Sequence, residues 1–419
     1  MGAFSYHGHG LCVEGVPLKD IALQFGTPCY VYSKKALLTQ IEAYQNALKK
    51  LPHLICYAVK ANGNLSLLQL IHEAGLGFDV VSGGEFLRAQ KAGASGDKIV
   101  FAGVGKTAAE LAQALEAGVY CINVESEAEL LRLAQVAQNL KVVAPFALRV
   151  NPDVDPKTHP YISTGLKGNK FGIAMTEAQS LYVKTKNHPH LKAMGVACHI
   201  GSQITDLAPF IEAQKKVLQL VAELKTEGLK LTHIDMGGGL GVPYQDEAVP
   251  SVADYLAALV QPLLGTDLKL IVEPGRSLVA QAGVLVTKVE YIKHNADKTF
   301  VVTDAAMNDY LRPALYGAKQ KIVNVVKNTT PTFKADIVGP VCESADCFLK
   351  DAEIAVQEGN LLAICDVGAY GFSMASQYNS RPRPPEVLVD GTNVTPIRAR
   401  ETLDSLLENE LRLLKEISA

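Results

Sequence analysis

The sequence predicts an α/β protein in which a (β/α)8 barrel is joined to a mostly β domain. Two observations lead to this prediction. Between residues 54 and 272, eight short apolar runs of β type alternate with helix-like segments, as parallel strands and their crossover helices do. After about residue 282 the pattern changes to short β-type runs separated by turns. An open, doubly wound sheet is the competing arrangement for the first part.

The elements follow one another regularly along the chain. The first 34 residues contain two short β-like runs, and residues 35–50 have the apolar spacing of an amphipathic helix. The predicted barrel strands are Leu54–Val59, Gly77–Val81, Lys98–Ala102, Tyr120–Val124, Pro145–Val150, Ala193–His199, Thr232–Met236 and Lys269–Val272. The later β-type runs include Val284–Ile292, Phe300–Thr303, Ala335–Val338, Leu361–Cys365 and Glu386–Val389, and the helix Glu401–Ile417 follows them. We therefore expect a barrel domain over 35–282 and a β domain built from 1–34, the N-terminal arm, together with 283–419.

Composition narrows the class of function. A formal net charge of −3 indicates no basic surface for nucleic acid or an anionic membrane, and no apolar run reaches membrane-spanning length. The first residues lack the order of a secretory signal, and the eight cysteines show neither CxxC pairs nor zinc spacing. No HExxH motif or carboxylate cluster predicts a metal site. We expect a soluble, cytoplasmic protein that acts on a small molecule and holds no metal.

Lys60 ends the first predicted barrel strand and is followed by Ala-Asn-Gly-Asn. An ammonium at the end of a buried strand is costly unless it is used, and a partly desolvated amine is what Schiff-base chemistry needs. The alternative is a lysine whose head simply reaches water. Five other strands also end in polar or glycine-rich stretches, where a barrel carries its chemistry: 79–84, 149–152, 198–203, 235–241 and 273–276.

The glycine run 237–241 follows the seventh predicted strand. Consecutive glycines let backbone N–H groups approach a phosphate, and they also form tight loops with no ligand. The run is not a dinucleotide fingerprint, because Tyr244 occupies the position of the last glycine of GxGxxG.

Two further strand-end residues suit a planar cofactor. Glu273 is either half of a structural ion pair with Arg276 or a carboxylate that holds a proton on a pyridine-type nitrogen. His199 is either a packed strand histidine or a ring that stacks on the cofactor. With Lys60 and the glycine run, these residues describe a pyridoxal phosphate site.

Four motifs resemble those of the fold-type III pyridoxal phosphate decarboxylases, which join an alanine-racemase-like barrel to a β domain. They are YAVKAN at 57–62, HIGSQ at 199–203, DMGGGLG at 235–241 and EPGR at 273–276. The stretches 308–317, 339–346 and 368–371 are similar to the diaminopimelate decarboxylase branch, and the matches run from about residue 25 to 380. Ala345 stands where this branch often has glycine.

The resemblance implies a role for each matching residue. Lys60 would form the Schiff base with pyridoxal 5'-phosphate, and Cys342, contributed by the other subunit of a homodimer, would protonate the product carbon. The implied cofactor-binding residues are Lys60, Asp79, His199, Ser202, Gly237, Gly238, Gly239, Glu273, Pro274, Gly275, Arg276 and Tyr370. Arg149 would support this environment.

The choice of substrate has a physical basis. An ornithine-type substrate ends in an amine alone, whereas diaminopimelate ends in a second amino-acid head that needs a cation as well as an acid. The chain offers Arg276, Arg312, Tyr316, Glu343 and Tyr370 for this purpose. The reaction implied is decarboxylation of meso-2,6-diaminopimelate to L-lysine and CO2, the last step of lysine biosynthesis. A related ornithine or arginine decarboxylase, a racemase and a non-catalytic regulatory homologue are the alternatives.

Overall fold

A computed structural model describes residues 3–156, 164 and 169–417 of the chain. The chain divides into two compact units. One consists of Leu38–Pro243 and Ala248–Leu278, and the other of Met1–Leu37, Tyr244–Glu247 and Val279–Ala419. We call them the barrel unit and the β unit.

The barrel unit contains eight parallel strands that close on themselves. They are, in order, His53–Ala58, Gly77–Val80, Ile99–Phe101, Cys121–Val124, Ala144–Asn151, Leu191–Ala197, His233–Asp235 and Lys269–Val272. Each strand pairs with the next, and the eighth returns to the first with Val272 opposite Ile55. This closure confirms the predicted barrel and rules out the open sheet. We refer to the strands as the first to the eighth barrel strand.

Helices alternate with these strands. They are Lys34–Leu48, Leu65–Glu73, Gly83–Lys91, Ala108–Glu116, Glu127–Leu140, Met175–Thr185, Ala208–Thr226 and Val252–Val260. Several begin at a side-chain cap: Ser82 accepts from the backbone N–H of Glu85, and Thr107 forms a reciprocal capping box with Glu110. These caps fix where each strand-to-helix loop ends, and so hold the rim of the barrel in place.

The β unit is built around the long strand Gly283–Asn295. On one side this strand pairs antiparallel with Cys29–Ser33, so the N-terminal arm completes the sheet as predicted. The other strands of this sheet are Lys298–Thr303, Ile322–Asn324, Phe333–Val338, Cys347–Ile354, Leu361–Ile364, Glu386–Asp390 and Asn393–Arg398. Buried aliphatic residues, among them Leu11, Val31 and Val284, form its core.

Smaller elements come first and last along the sequence of the β unit. Phe4–His7, Gly10–Val13 and Val16–Pro17 form a three-stranded sheet. The short helix Leu18–Phe25 follows, in a region where the sequence predicts only β-like runs. The last element of the described residues is the helix Leu403–Ile417. No helix among these residues is both long and apolar enough to cross a membrane.

Candidate active site

Lys60 lies just beyond the first barrel strand. The strand ends at Ala58, one residue earlier than predicted, and Lys60 sits in the short 3-10 turn Val59–Ala61. Its Nζ donates to Oδ2 of Asp79, which is fully buried at the end of the second strand. The lysine side chain is 38% exposed, so the amine is held by a carboxylate and still open to a ligand. The other Asp79 oxygen, Oδ1, is buried and has no hydrogen-bond partner among the described residues.

The EPGR turn packs against the lysine turn. The backbone N–H of Ala58 donates to the carbonyl of Pro274 at 3.1 Å. A Cβ atom on Gly275 would lie 3.1 Å from the Cβ atoms of both Ala58 and Ala61, which explains the absence of a side chain there. This turn therefore brings Glu273 into the neighbourhood of Lys60.

The glycine run forms a tight loop against the same turn. Gly237 has φ +63°, a left-handed conformation that favours glycine, and its N–H donates to Oδ1 of Asp235 at 2.9 Å. A Cβ on Gly238 would lie only 2.2 Å from the carbonyl oxygen of Glu273. The glycines thus let two strand ends approach closely, which suits a loop that wraps a phosphate.

Glu273 is buried and hydrogen-bonded to a second carboxyl group, that of Asp235. Asp235 accepts a further hydrogen bond, at 2.9 Å, from Nδ2 of Asn123 on the fourth barrel strand. Oε1 of Glu273 is buried and has no hydrogen-bond partner among the described residues. A buried carboxyl oxygen without a partner is costly in a protein interior and suits a cofactor nitrogen.

Burial shifts the titration of this carboxyl pair toward higher pH. Burial, reinforced by the negative charges of Asp235 and Asp79, raises the pKa of Glu273 well above its usual range. Burial also raises the pKa of Asp235, to about 6. Both carboxyl groups are therefore harder to ionise than exposed acids, although the positive charge of Lys60 acts in the opposite direction on the pKa of Glu273.

His199 follows the sixth barrel strand and contacts the glycine loop. Its Nδ1 accepts from the N–H of Gly238 at 3.3 Å, which places any ring proton on Nε2. Burial, with the positive charges of Arg149 and Lys60 nearby, lowers the pKa of His199 well below its usual value. A neutral imidazole presents a flat face that suits stacking on an aromatic cofactor.

Two arginines complete the barrel rim. Arg276 is buried, and its Nη2 donates to Oγ of Ser202 at 2.9 Å. Arg149 forms a buried ion pair with Glu125 at 2.7 Å. Arg276 and Ser202 thus lie together, as the sequence predicts for the phosphate side of the site.

The β unit carries the remaining predicted residues. Arg312 begins the short helix Arg312–Tyr316 and is 4% exposed. Its guanidinium lies 5.2 Å from the ring centroid of Tyr244 and 5.5 Å from that of Tyr316. Its Nε has no hydrogen-bond partner among the described residues, so this buried cation suits a carboxylate.

Cys342 and Glu343 lie on an exposed loop of the β unit. The backbone N–H of Cys342 donates to Oδ1 of Asn379 at 3.0 Å, and Glu343 accepts a hydrogen bond of 2.5 Å from the hydroxyl of Tyr378. Tyr370 is half-buried and has φ +55°, which is uncommon for a residue with a side chain. Such strain is frequent at functional sites.

Four residues that contact the predicted site residues were not predicted from the sequence: Asp235, Asn123, Tyr378 and Asn379. Asp235 lies in the DMGGGLG motif and, like Glu273, stands where a barrel strand ends. That position could have identified it as a site residue. The other three have no local pattern that marks them, because each is recruited by a contact distant in sequence.

A closed barrel with a carboxylate-held lysine, a glycine loop and a buried carboxyl oxygen at its rim defines a pyridoxal-phosphate enzyme of the barrel type. The model of the family "Pyridoxal-dependent decarboxylase, pyridoxal binding domain" matches residues 34–280. The chain belongs to the diaminopimelate decarboxylase family. It is 53% identical over 411 residues to the diaminopimelate decarboxylase of Pseudomonas fluorescens, covering 98% of this chain and 99% of the relative. The diaminopimelate decarboxylase of Vibrio cholerae is 52% identical over 408 residues, which cover 97% of this chain and 98% of the relative.

Solved structures agree with this assignment. Diaminopimelate decarboxylase from Helicobacter pylori, complexed with L-lysine, has a TM-score of 0.91 at 45% identity, covering 94% of this chain and 99% of that one. The enzyme from M. jannaschii in co-complex with L-lysine has a TM-score of 0.93 at 40% identity, covering 97% of both chains. The lysine/ornithine decarboxylase of Vibrio vulnificus, at 20% identity and a TM-score of 0.79 over 89% of this chain and 97% of that one, shares the fold.

Proposed function

We propose that this chain catalyses the pyridoxal-phosphate-dependent decarboxylation of meso-2,6-diaminopimelate to L-lysine and CO2. The observation that carries the proposal is the match to diaminopimelate decarboxylases at 53% identity over 98% of the chain, with Lys60 in place at the barrel rim. The reaction is the last step of lysine biosynthesis.

The residues at the barrel rim fit pyridoxal phosphate. Lys60 would hold the aldehyde carbon, His199 would cover one face of the ring, and Glu273, whose Oε1 has no partner among the described residues, would face the ring nitrogen. The phosphate group would be held by Gly237, Gly238, Gly239, Ser202, the turn Pro274–Arg276 and Tyr370. The bound cofactor supplies an electron sink for the bond that breaks at the substrate α-carbon.

The barrel side chains then control charge and protons. Asp79 fixes the position of the Lys60 amine through their ion pair. The Asp235 carboxyl group adjoins that of Glu273, and the unpartnered Oε1 of Glu273 would accept a hydrogen bond from a protonated ring nitrogen. This arrangement favours the electron-poor form of the ring, on which decarboxylation depends.

The β unit supplies the groups for the substrate. Arg312 and Tyr316 would bind the distal carboxylate, with Tyr370 and, from the barrel unit, Arg276 assisting, and Glu343 would bind the distal ammonium. The bond from the α-carbon to its carboxylate breaks and CO2 leaves. The thiol of Cys342 then gives its proton to the α-carbon.

We also propose that the enzyme works as a homodimer in the cytoplasm. The loop with Cys342 and Glu343 is exposed, as expected for residues that serve the site of a second copy. In this arrangement, residues 35–282 bind the cofactor, while 1–34 and 283–419 supply substrate and interface residues. All eight cysteines are free thiols, which suits a reducing compartment.

An absorbance and product assay tests the function. Purified protein given pyridoxal phosphate should show the visible absorbance of a lysine-linked cofactor and release lysine from meso-diaminopimelate, with far slower turnover of ornithine and arginine. Lys60→Ala should lose both the absorbance and the turnover. Faster release of putrescine or agmatine than of lysine would assign one of the related decarboxylases, and interconversion of D- and L-isomers without CO2 would assign a racemase.

A further inference from the structure

We propose that Tyr378 is a positioning residue that sets the enzyme's selectivity for a substrate with a second ammonium group, and that it acts through Glu343. This inference rests on the proposed function, in which Glu343 binds that ammonium. Neither the sequence motifs nor the family resemblance gave Tyr378 a role.

Tyr378 and Asn379, which are adjacent in sequence, form hydrogen bonds with Glu343 and Cys342, which are also adjacent. Tyr378 Oη donates to Oε1 of Glu343 at 2.5 Å, and Asn379 Oδ1 accepts from the N–H of Cys342 at 3.0 Å. The side chain of Glu343, the proposed ammonium ligand, and the backbone of Cys342, the proposed proton donor, are therefore both held in place.

The segment that makes these contacts is itself firmly anchored. Asn379 and Ser380 have φ values of +55° and +56°, a turn that directs the Asn379 side chain back toward the loop. Arg381 follows at once, donating from Nε to Oδ1 of Asn308 at 3.0 Å and from Nη2 to the carbonyl of Asp304 at 2.5 Å. Tyr378 thus extends from a fixed support.

The Cys342 loop is held from its other end by a buried carboxylate. Asp346 accepts from the N–H of Val341 through Oδ2 and from the N–H of Met307 through Oδ1, both at 2.7 Å. With the backbone held on both sides, the remaining freedom of Glu343 lies in its side chain. The Tyr378 hydroxyl removes that freedom.

The chemistry of the contact explains its effect on binding. A carboxylate that accepts a hydrogen bond at Oε1 keeps Oε2 directed and available for a cation, and the ordering is complete before the substrate arrives. The bond to Glu343 also raises the pKa of the Tyr378 phenol, so the hydroxyl remains a donor at neutral pH. A substrate without the second amine gains nothing from this arrangement.

A double-mutant cycle tests the inference with two ligands. For meso-diaminopimelate, the substrate, the quantity measured is KM. For 2-aminopimelate, which has both carboxylates but no second amine, it is the competitive inhibition constant. Tyr378→Phe should raise KM about tenfold, the effect of one charge-assisted hydrogen bond, with kcat and the inhibition constant unchanged. In the background of Glu343→Gln, Tyr378→Phe should change KM no further, because the negative charge that Tyr378 orients toward the ammonium is gone. Tyr291→Phe, at a 65% exposed tyrosine of the same unit, is the matched control.

The outcomes separate this inference from the proposed function. If the wild-type enzyme releases no lysine, the proposed function fails. If wild type is active and Glu343→Gln loses selectivity between the two ligands, but Tyr378→Phe leaves KM unchanged, only the role of Tyr378 is wrong. Equal weakening of both ligands by Tyr378→Phe, or full additivity with Glu343→Gln, would likewise contradict it.

Discussion

Asn123 donates a hydrogen bond of 2.9 Å to Asp235 across the interior of the barrel, from the fourth strand to the seventh. The Asp235 carboxyl group is in turn hydrogen-bonded to that of Glu273, which directly follows the eighth strand. Three strands thereby cooperate to hold one carboxyl oxygen, Oε1 of Glu273, toward the cofactor side of the barrel. A buried carboxyl oxygen without a partner is costly, so a ligand atom suits Oε1 of Glu273.

Glu273→Gln should therefore lower turnover by about 10²-fold, the loss typical of removing one electrostatic stabiliser from an active site. An amide cannot ionise, so it favours a protonated ring nitrogen less than a carboxyl group that can carry negative charge. The measurement is kcat together with the affinity for pyridoxal phosphate from an absorbance titration. Asn123→Ala, which removes only the outer support of Asp235, should give a smaller loss in the same direction. Wild-type kcat in Glu273→Gln would refute this role for the pair.

Cys342→Ala should slow turnover and leave the cofactor bound, because the thiol delivers a proton to the product carbon and is not among the residues that hold the ring. A loss of about 10²-fold is expected for removal of a positioned general acid. The matched control is Cys347→Ala, five residues along the same unit and only half-buried. If the two variants keep the same kcat, Cys342 is not the proton donor.

Gly238→Ala tests the close approach of the glycine loop to the Glu273 turn. The added Cβ would lie 2.2 Å from a backbone oxygen, so one of the two strand ends must move. We expect the free energy of unfolding to fall by about 1–3 kcal/mol, as in other overpacked interiors, and the affinity for pyridoxal phosphate to fall with it. Gly105→Ala is the control, since a Cβ there meets no atom within 4 Å. Unchanged cofactor affinity in Gly238→Ala would contradict a role for this loop in binding.

The sequence predicts the barrel well because its strands are buried on both faces and therefore appear as continuous apolar runs. Lys60 and Glu273 could be found for a related reason, since a charged residue directly after such a run has few structural uses. The partnership of Asn123 with Asp235 could not be found in this way, because it depends on closure bringing the fourth and seventh strands face to face.

Contacts between loops were beyond prediction for a different reason. Asn379 reaches Cys342 over 37 residues, and no periodic pattern fixes the path of the chain between them. Leu18–Phe25 shows the same limit on a smaller scale: eight residues are too few for the apolar spacing to outweigh the β-like runs around them.

A buried acid of the β unit, Asp309, makes the stability of the protein depend on pH. Asp309 is 1% exposed, and burial raises its pKa to about 7, although its hydrogen bond from the N–H of Ala306 and the positive charge of Arg381 act in the opposite direction. The negative charges of Asp304 and Asp346 add to the increase. In the unfolded chain an aspartate has a pKa of about 3.9. The folded protein therefore binds more protons than the unfolded chain between these two values.

Because the folded protein binds more protons, Asp309 stabilises it most at low pH. The contribution of Asp309 to stability is fully present below pH of about 4 and is lost as the pH rises to about 7, at no more than about 1.4 kcal/mol per pH unit. Asp309→Asn does not titrate, so its thermal midpoint relative to wild type should increase steadily from pH 5 to 7 and level off above pH 8. Asp297→Asn, in an exposed turn of the same unit, should follow wild type throughout. A constant difference between wild type and Asp309→Asn across this range would show that Asp309 does not take up a proton on folding.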